Sequence, residues 1–245
     1  PEDAYIDFYR AYEVFEDYKT NYGTPVPQSL LEDLFRTAEK TGRTEEVRKL
    51  HKDFSNVKGP KQKETKGLGK IIFIHLNGKA PVKEDFKLYI PTKEGPVTIA
   101  FPKYVVNPPH CRNSEVIAES GSHHAEAGAA LVEDINEIAV KNLKDREVRV
   151  IAKALIRAAA KQAAIRKATE DESVRKLLNL ANTFVEMADT RTWRTLPGEI
   201  YLSRLFLPAG KYDIFIKQCD SGKRAVESVN VKAGETRFVL YESMY

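Results

Sequence analysis

The sequence predicts an α+β fold built from consecutive pieces. Apolar residues recur at three- and four-residue steps through residues 4–54, which is a helical period. From Lys70 the period falls to two, over Phe86, Leu88 and Ile90 and again over Val97, Ile99 and Phe101, as in half-buried strands. After Pro197 alternation returns, broken by turn residues, and residues 126–188 carry a helical period between the two strand regions. We therefore expect helical hairpins at 1–54, a basic linker at 55–69, a middle α+β domain at 70–190 and a C-terminal antiparallel β unit at 191–245.

The first helix carries Tyr5, Phe8, Tyr9, Tyr12, Phe15 and Tyr18, and Tyr22-Gly23-Thr24-Pro25 stops it. The second carries Leu30, Leu31, Leu34, Phe35 and Ala38 and ends at Thr41-Gly42. The third runs from Glu45 to Phe54 with Val47, Leu50 and Phe54 on one face. The stretch TAEKTGRTEEVRKLHKDF resembles the small residue, glycine turn and following helix of a tetratricopeptide-type repeat. One such unit cannot bury its own faces, so that resemblance implies packing on further repeats or on the rest of the chain.

SNVKGPKQKETKGLG at 55–69 is rich in Lys and Gly without an apolar period, and we expect a solvated connector. IIFIHLNG is a short apolar run ending in a turn signal, YIPTKEGPV a hairpin connection, and Glu115–Glu119 one more strand. Three helices should follow, at about 126–143, 146–168 and 172–188. The third has the cleanest stripe in the chain: Val174, Leu177, Leu178, Ala181, Phe184, Val185 and Ala188. Strands are then expected at 199–206, 211–218, 224–231 and 236–242. LPAGKYDIFIKQCDSGKRAVESVNVKAGETRFVLYE resembles small β-sandwich units of the PEGA type.

The 245 residues are 42% hydrophobic and 30% charged, so a core can form without metals or staples. The net charge of +4 comes from 39 basic and 35 acidic residues, so a cationic surface must arise by local clustering. No apolar run approaches the roughly 18–20 residues of a membrane-spanning helix. The sequence opens at Pro1 and enters a helical pattern almost at once. We take it for a fragment or processed form and infer nothing about location from the lack of a leader. Cys111 and Cys219 are too few for a disulfide framework and fit no zinc spacing. Two buried thiols are expected, with one disulfide as the alternative in an oxidising compartment.

ADTRTWRTLP, residues 188–197, joins the last helical stripe to the following sheet. Asp189 and Thr190 can satisfy backbone groups, and Trp193 offers a large apolar body suited to pinning the joint against a core. Arg191 and Arg194 suit carboxylates of this chain or of a partner. The segment has no base titrating near neutrality, so we expect no catalysis there. Arg149, Lys153, Arg157 and Lys161 fall every four residues opposite an Ile151/Leu155 face. A solvated helix face is the simpler account of that basic row, and contact with an anionic partner the alternative. Together Arg149, Lys153, Arg157, Lys161, Arg191, Trp193 and Arg194 are the candidate partner-binding residues.

His110, Cys111, His123 and His124 form the nearest thing to a metal cluster. Adjacent histidines would point to opposite faces of a strand, and no carboxylate is placed to orient them, so we expect no metal. A phosphate loop is excluded at Gly67-Leu68-Gly69-Lys70 by its spacing, and no nucleophile elbow surrounds Ser114, Ser120 or Ser122. No catalytic residue and no cofactor are expected, and no helix-turn-helix or aromatic platform suggests a nucleic-acid partner.

ADTRTWRTLPGEIYLSRLFLPAGKYDI, preceded by ALIRAAAKQAAIRKA, resembles a family of bacterial envelope lipoproteins; NGKAPVKEDFKLYIP and IAFPKY fit the same family. Its members combine tetratricopeptide-like helices, a middle domain and a C-terminal β unit, often encoded beside lipoproteins resembling penicillin-binding-protein activators. The resemblance implies a non-enzymatic scaffold or adaptor of the Gram-negative cell envelope. It would face the periplasm, be held at the outer membrane by a lipid anchor that this sequence does not contain, and bind other envelope proteins. A structural subunit of a flagellar motor or secretion ring is the alternative, and a metal-dependent hydrolase around His110 and His123 ranks below both.

Overall fold

The computed structural model describes residues 2–54, 65, 67–121 and 123–244. Most of the expected linker, 55–64 and residue 66, lies outside the described residues, as does Ser122. The fold is mixed α+β, with six helices and ten strands among the described residues. Helices α1 (Glu2–Tyr22), α2 (Gln28–Lys40) and α3 (Thr44–Asp53) come first. Strands β1 (Gly69–Lys79), β2 (Val82–Ile90), β3 (Val97–Val105), β4 (Ser114–Ser120), β5 (His123–Gly128) and β6 (Ala130–Asp134) follow. Then come α4 (Ile135–Asp145), α5 (Glu147–Ala168) and α6 (Glu172–Val185). Last are β7 (Pro197–Leu207), β8 (Gly210–Gln218), β9 (Arg224–Val231) and β10 (Thr236–Ser243).

Contacts divide the chain into two compact units, each discontinuous in sequence: Pro1–Lys79 with Pro108–Ile135 and Pro197–Tyr245, and Ala80–Asn107 with Asn136–Leu196. The consecutive pieces 70–190 and 191–245 expected above are thus redistributed between them.

The first unit holds two four-stranded sheets, ordered β10-β1-β7-β6 and β5-β4-β8-β9. β1 runs antiparallel to β7 and parallel to β10. Its period of two turns Ile71 and Phe73 inward, where they meet Leu205, Leu207 and Val239 of the same sheet and Val116, Tyr212, Ile214 and Ile216 of the other. Gly69 opens β1 where a Cβ would stand 2.2 Å from Cγ1 of Val231 and 2.5 Å from the Lys232 carbonyl, so only glycine fits. The C-terminal strands do not form a sheet of their own. β8 and β9 make an antiparallel hairpin that pairs with β4, while β7 and β10 flank β1. The buried alternation of β1 requires partners on both edges, and those partners lie over a hundred residues away, beyond any local signal.

Helices α1–α3 enclose Tyr5, Leu34, Phe35, Ala38 and Leu50. Gly42 takes φ +70° between α2 and α3. There Arg43 N–H donates to the Ala38 carbonyl and Gly42 N–H to that of Glu39, which caps the helix end. Arg204 of β7 ties α2 to the sheet through Glu32 at 3.2 Å and through Asp33.

The helix expected at 126–143 is a correction. Residues 123–134 form β5 and β6, and α4 begins only at Ile135. HHAEAGAALVED is rich in good helix formers, yet pairing with β4 and β7 overrides that preference.

In the second unit the β2–β3 hairpin meets α5, which sets Ala154 and Ala158 against Ile99, with Val97 and Phe101 packed alongside. The small alanines allow the close approach. The expected Ile151/Leu155 face is not the inner one: Ile151 is half-buried and Leu155 is exposed. Helix α6 carries the larger correction. Its inward face is polar: Asn179, 1% exposed, donates from Nδ2 to the Glu94 carbonyl at 2.7 Å and accepts from Gln162 at 2.6 Å. Thr183 Oγ1 accepts from Thr98 Oγ1 at 3.0 Å, and Arg175 Nη1 lies 3.3 Å from Glu94. The apolar stripe faces away from the unit, with Leu177 66% and Phe184 76% exposed.

Candidate interaction surface

All seven candidate partner-binding residues fall in the second unit. α5 projects Arg149, Lys153 and Arg157 into solvent at four-residue steps, with Lys161 half-buried on the next turn. Lys161 pairs with the buried carboxylate of Glu186 just past α6, so it acts as a strut between the helices. Arg157 Nη2 donates to the Ala100 carbonyl at 3.5 Å. Arg149 and Lys153 make no ion pair among the described residues.

Arg191 grips Asp189 through Nε at 2.8 Å and Nη2 at 2.7 Å, and its backbone N–H also donates to Oδ1. The Arg191 guanidinium holds the Asp189 carboxyl well below its usual range. Trp193 is 70% exposed and donates from Nε1 to Thr195 Oγ1 at 2.5 Å; the expectation that it pins the joint against a core is overturned. Its indole finds a donor-acceptor partner within two residues and needs no core. Arg194 is exposed with no partner among the described residues.

Two of the seven, Lys153 and Arg157, line one concavity. This pocket of about 620 Å³ lies against Pro102 and Tyr104 of β3 and the α4–α5 turn. Two further cations, Lys83 of β2 and Arg146 at the start of α5, also line it and were not singled out in the sequence. Arg146 precedes Arg149 by one turn and was legible as part of the row. Lys83 comes from a strand far away in sequence, and only the hairpin's docking delivers it. The surface therefore combines the outward stripe of α6 with a separate cation-lined pocket between β3, α4 and α5.

The residues considered for metal or hydrolytic chemistry lie in the first unit and do not converge. Cys111 and Cys219 form a disulfide, correcting the expectation of two thiols, and its closure takes both sulfurs out of metal chemistry. His123 and His124 lie exposed on β5; His124 faces Glu119 at 3.6 Å and Glu126 at 3.4 Å. Ser114, by contrast, is buried against His75, which sequence reasoning did not single out.

His75 sits in a buried polar chain whose polarity can be assigned. Asn77 Nδ2 donates to the Cys111 carbonyl at 2.7 Å, so its Oδ1 faces Ser243 and accepts that hydroxyl proton at 3.0 Å. Ser243 must then accept from His75 Nε2 at 2.7 Å, and His75 Nδ1 accepts from Ser114 at 3.2 Å. The Ser243 proton points away from the imidazole, that of Ser114 points toward Nδ1, and all three side chains are buried. Burial also pushes the His75 pKa down to about 4. Beside this chain Glu199, fully buried, accepts from Tyr201 OH at 2.9 Å and lies 2.8 Å from Arg112 Nε. Burial pushes Glu199 up, and pushes Tyr201 up as well.

No protein-family model, curated protein or solved structure matches this chain. No helix of the described residues is long and apolar enough to cross a membrane.

Proposed function

We propose that this protein is a non-enzymatic adaptor of the Gram-negative cell envelope that docks a helix of a partner envelope protein on α6. The observation that carries the proposal is the outward apolar stripe of that helix. Val174, Leu177, Ala181 and Phe184 recur at alternating three- and four-residue steps, the spacing a second helix needs to interlock along it. The polar inward face makes the stripe dispensable for packing within its own unit, so a binding role is its natural use. The Cys111–Cys219 disulfide supports an oxidising compartment such as the periplasm. On this proposal α1–α3 form a tetratricopeptide-type unit, the strands after Pro197 belong to a PEGA-like sandwich, and a lipid anchor outside this sequence holds the protein at the outer membrane.

The test places a photo-crosslinking amino acid at Leu177, at Phe184 and, as a control, at Lys211 of β8 in cells. Adducts to one envelope protein from the two α6 positions alone are the expected result. Adducts only to a second copy of this chain, or none beyond the control, refute it.

A further inference from the structure

Two adjoining pockets of the second unit differ in chemistry and share their common wall. The first, about 330 Å³, is lined by Phe86, Phe101, Val140, Leu143, Val150 and Ile151, with Lys103, Lys144 and Glu147 also on its wall. The second, about 620 Å³, carries Lys83, Arg146, Lys153 and Arg157. Pro102, Tyr104, Leu143 and Val150 line both, so one groove runs from an apolar end to a cationic end. Each volume is within the range of roughly 300–1,000 Å³ typical of ligand pockets.

The cationic end has little within the chain to neutralise it. The carboxylate lining it, Asp189, is already held by Arg191. Arg146 and Lys153 have no ion-pair partner among the described residues. Lys83 lies 5.4 Å from the Tyr104 ring centroid and donates only to the Arg191 carbonyl, at 3.4 Å. Arg146 also precedes the first residue of α5, where the free N–H groups of the helix add positive potential. Four cations gathered at one end of a concavity, with one carboxylate already neutralised, draw an anion. The adjoining wall carries one carboxylate, Glu147, beside two cations, Lys103 and Lys144, and otherwise offers apolar surface to cover.

We propose that this groove binds a single-chain anionic amphiphile, a long-chain carboxylate, with its head on Lys83, Arg146, Lys153 and Arg157 and its chain against Phe86, Phe101, Val140 and Leu143. The charge asymmetry sets the orientation, and the apolar end supplies the affinity that a bare anion lacks. Tyr104, shared by the two ends, stands where head and chain meet. The site is separate from the α6 stripe and does not rest on the docking proposal.

Calorimetric titration of the whole protein with laurate, below its micelle concentration, tests this. The comparison ligands are acetate, which has no chain, dodecanol, which has no charge, and vesicles of phosphatidylglycerol. The variant is R146E/K153E, two exposed side chains, with circular dichroism as the check that the fold is kept. Laurate should bind, acetate and dodecanol about tenfold or more weakly, and the charge reversal should weaken laurate by a similar factor. Laurate binding that the reversal leaves unchanged overturns the proposal. So does dodecanol binding as tightly as laurate, or binding to the vesicles alone, which would make the groove a membrane-facing surface.

Discussion

His75 Nε2 of β1 donates to the Ser243 hydroxyl of β10 at 2.7 Å, joining two buried side chains 168 residues apart in sequence. The groups around the ring are Ser114, Ser243, Gln218 and the rings of Tyr201 and Tyr241, none of them charged at neutral pH. A proton added to His75 would therefore meet no compensating charge among these groups.

That burial sets a pH dependence. The folded pKa is about 4 against an ordinary 6.5. Below pH 6.5 the unfolded chain takes up a proton that the folded chain refuses until pH 4. Stability is thus flat above 6.5 and falls as pH drops through that window, by about 3 kcal/mol in all. Urea unfolding across the window should show a steeper decline for the native chain than for His75→Gln. Equal slopes would show that His75 titrates normally.

Arg112 and Glu199 should be coupled in the same way. Arg112→Ala leaves a buried carboxylate without its cation. Because Arg112 is itself more than half exposed, the cost should be about 1–3 kcal/mol at neutral pH. Burial already raises the Glu199 pKa, and removing Arg112 raises it further, so the variant's deficit should shrink as the pH falls. Denaturant midpoints of both proteins at neutral and mildly acidic pH measure this.

Reducing the Cys111–Cys219 bond should lower stability by about 2–4 kcal/mol, because it restrains residues 108 apart in the unfolded chain. Cys219→Ser should reproduce the effect, and added reductant should then do nothing more. A midpoint indifferent to reductant would mean the bond is not formed in solution.

The two faces of α6 should respond in opposite ways. Leu177→Ser and Phe184→Ser remove exposed apolar groups and should leave stability within about 0.5 kcal/mol. Asn179→Ala strips partners from Gln162 and the Glu94 carbonyl and should cost about 1–3 kcal/mol. Thermal or urea unfolding of the three variants distinguishes these outcomes.

Much of the second unit's surface was legible because periodicity marks helices wherever they go. A helix at about 172–188 was identifiable; it runs from Glu172 to Val185, capped by Asp171, whose carboxylate accepts from Ser173 and Val174 N–H. Which face turns inward was not legible. A stripe of Val, Leu and Phe signals burial on average, but here Asn179 and Thr183 meet exact polar partners on β3 and its preceding turn, and those partners exist only after folding. Likewise Lys153 and Arg157 were visible as part of a row, whereas Lys83 reaches the same pocket only because the β2–β3 hairpin lies beside α4 and α5.

By itself the sequence determined the α+β class, three helices within 4–54, helices at about 146–168 and 172–188, and the four C-terminal strands, since each depends on local period and turn chemistry. Tertiary structure alone decided that 123–134 is strand, that β10 lies parallel to β1, that the cysteines join and that the α6 stripe faces outward. The physical reason is range. Backbone dihedral preferences and side-chain periodicity act over a few residues. Strand partners, disulfides and the choice of buried face are set by groups that meet only when distant segments pack together.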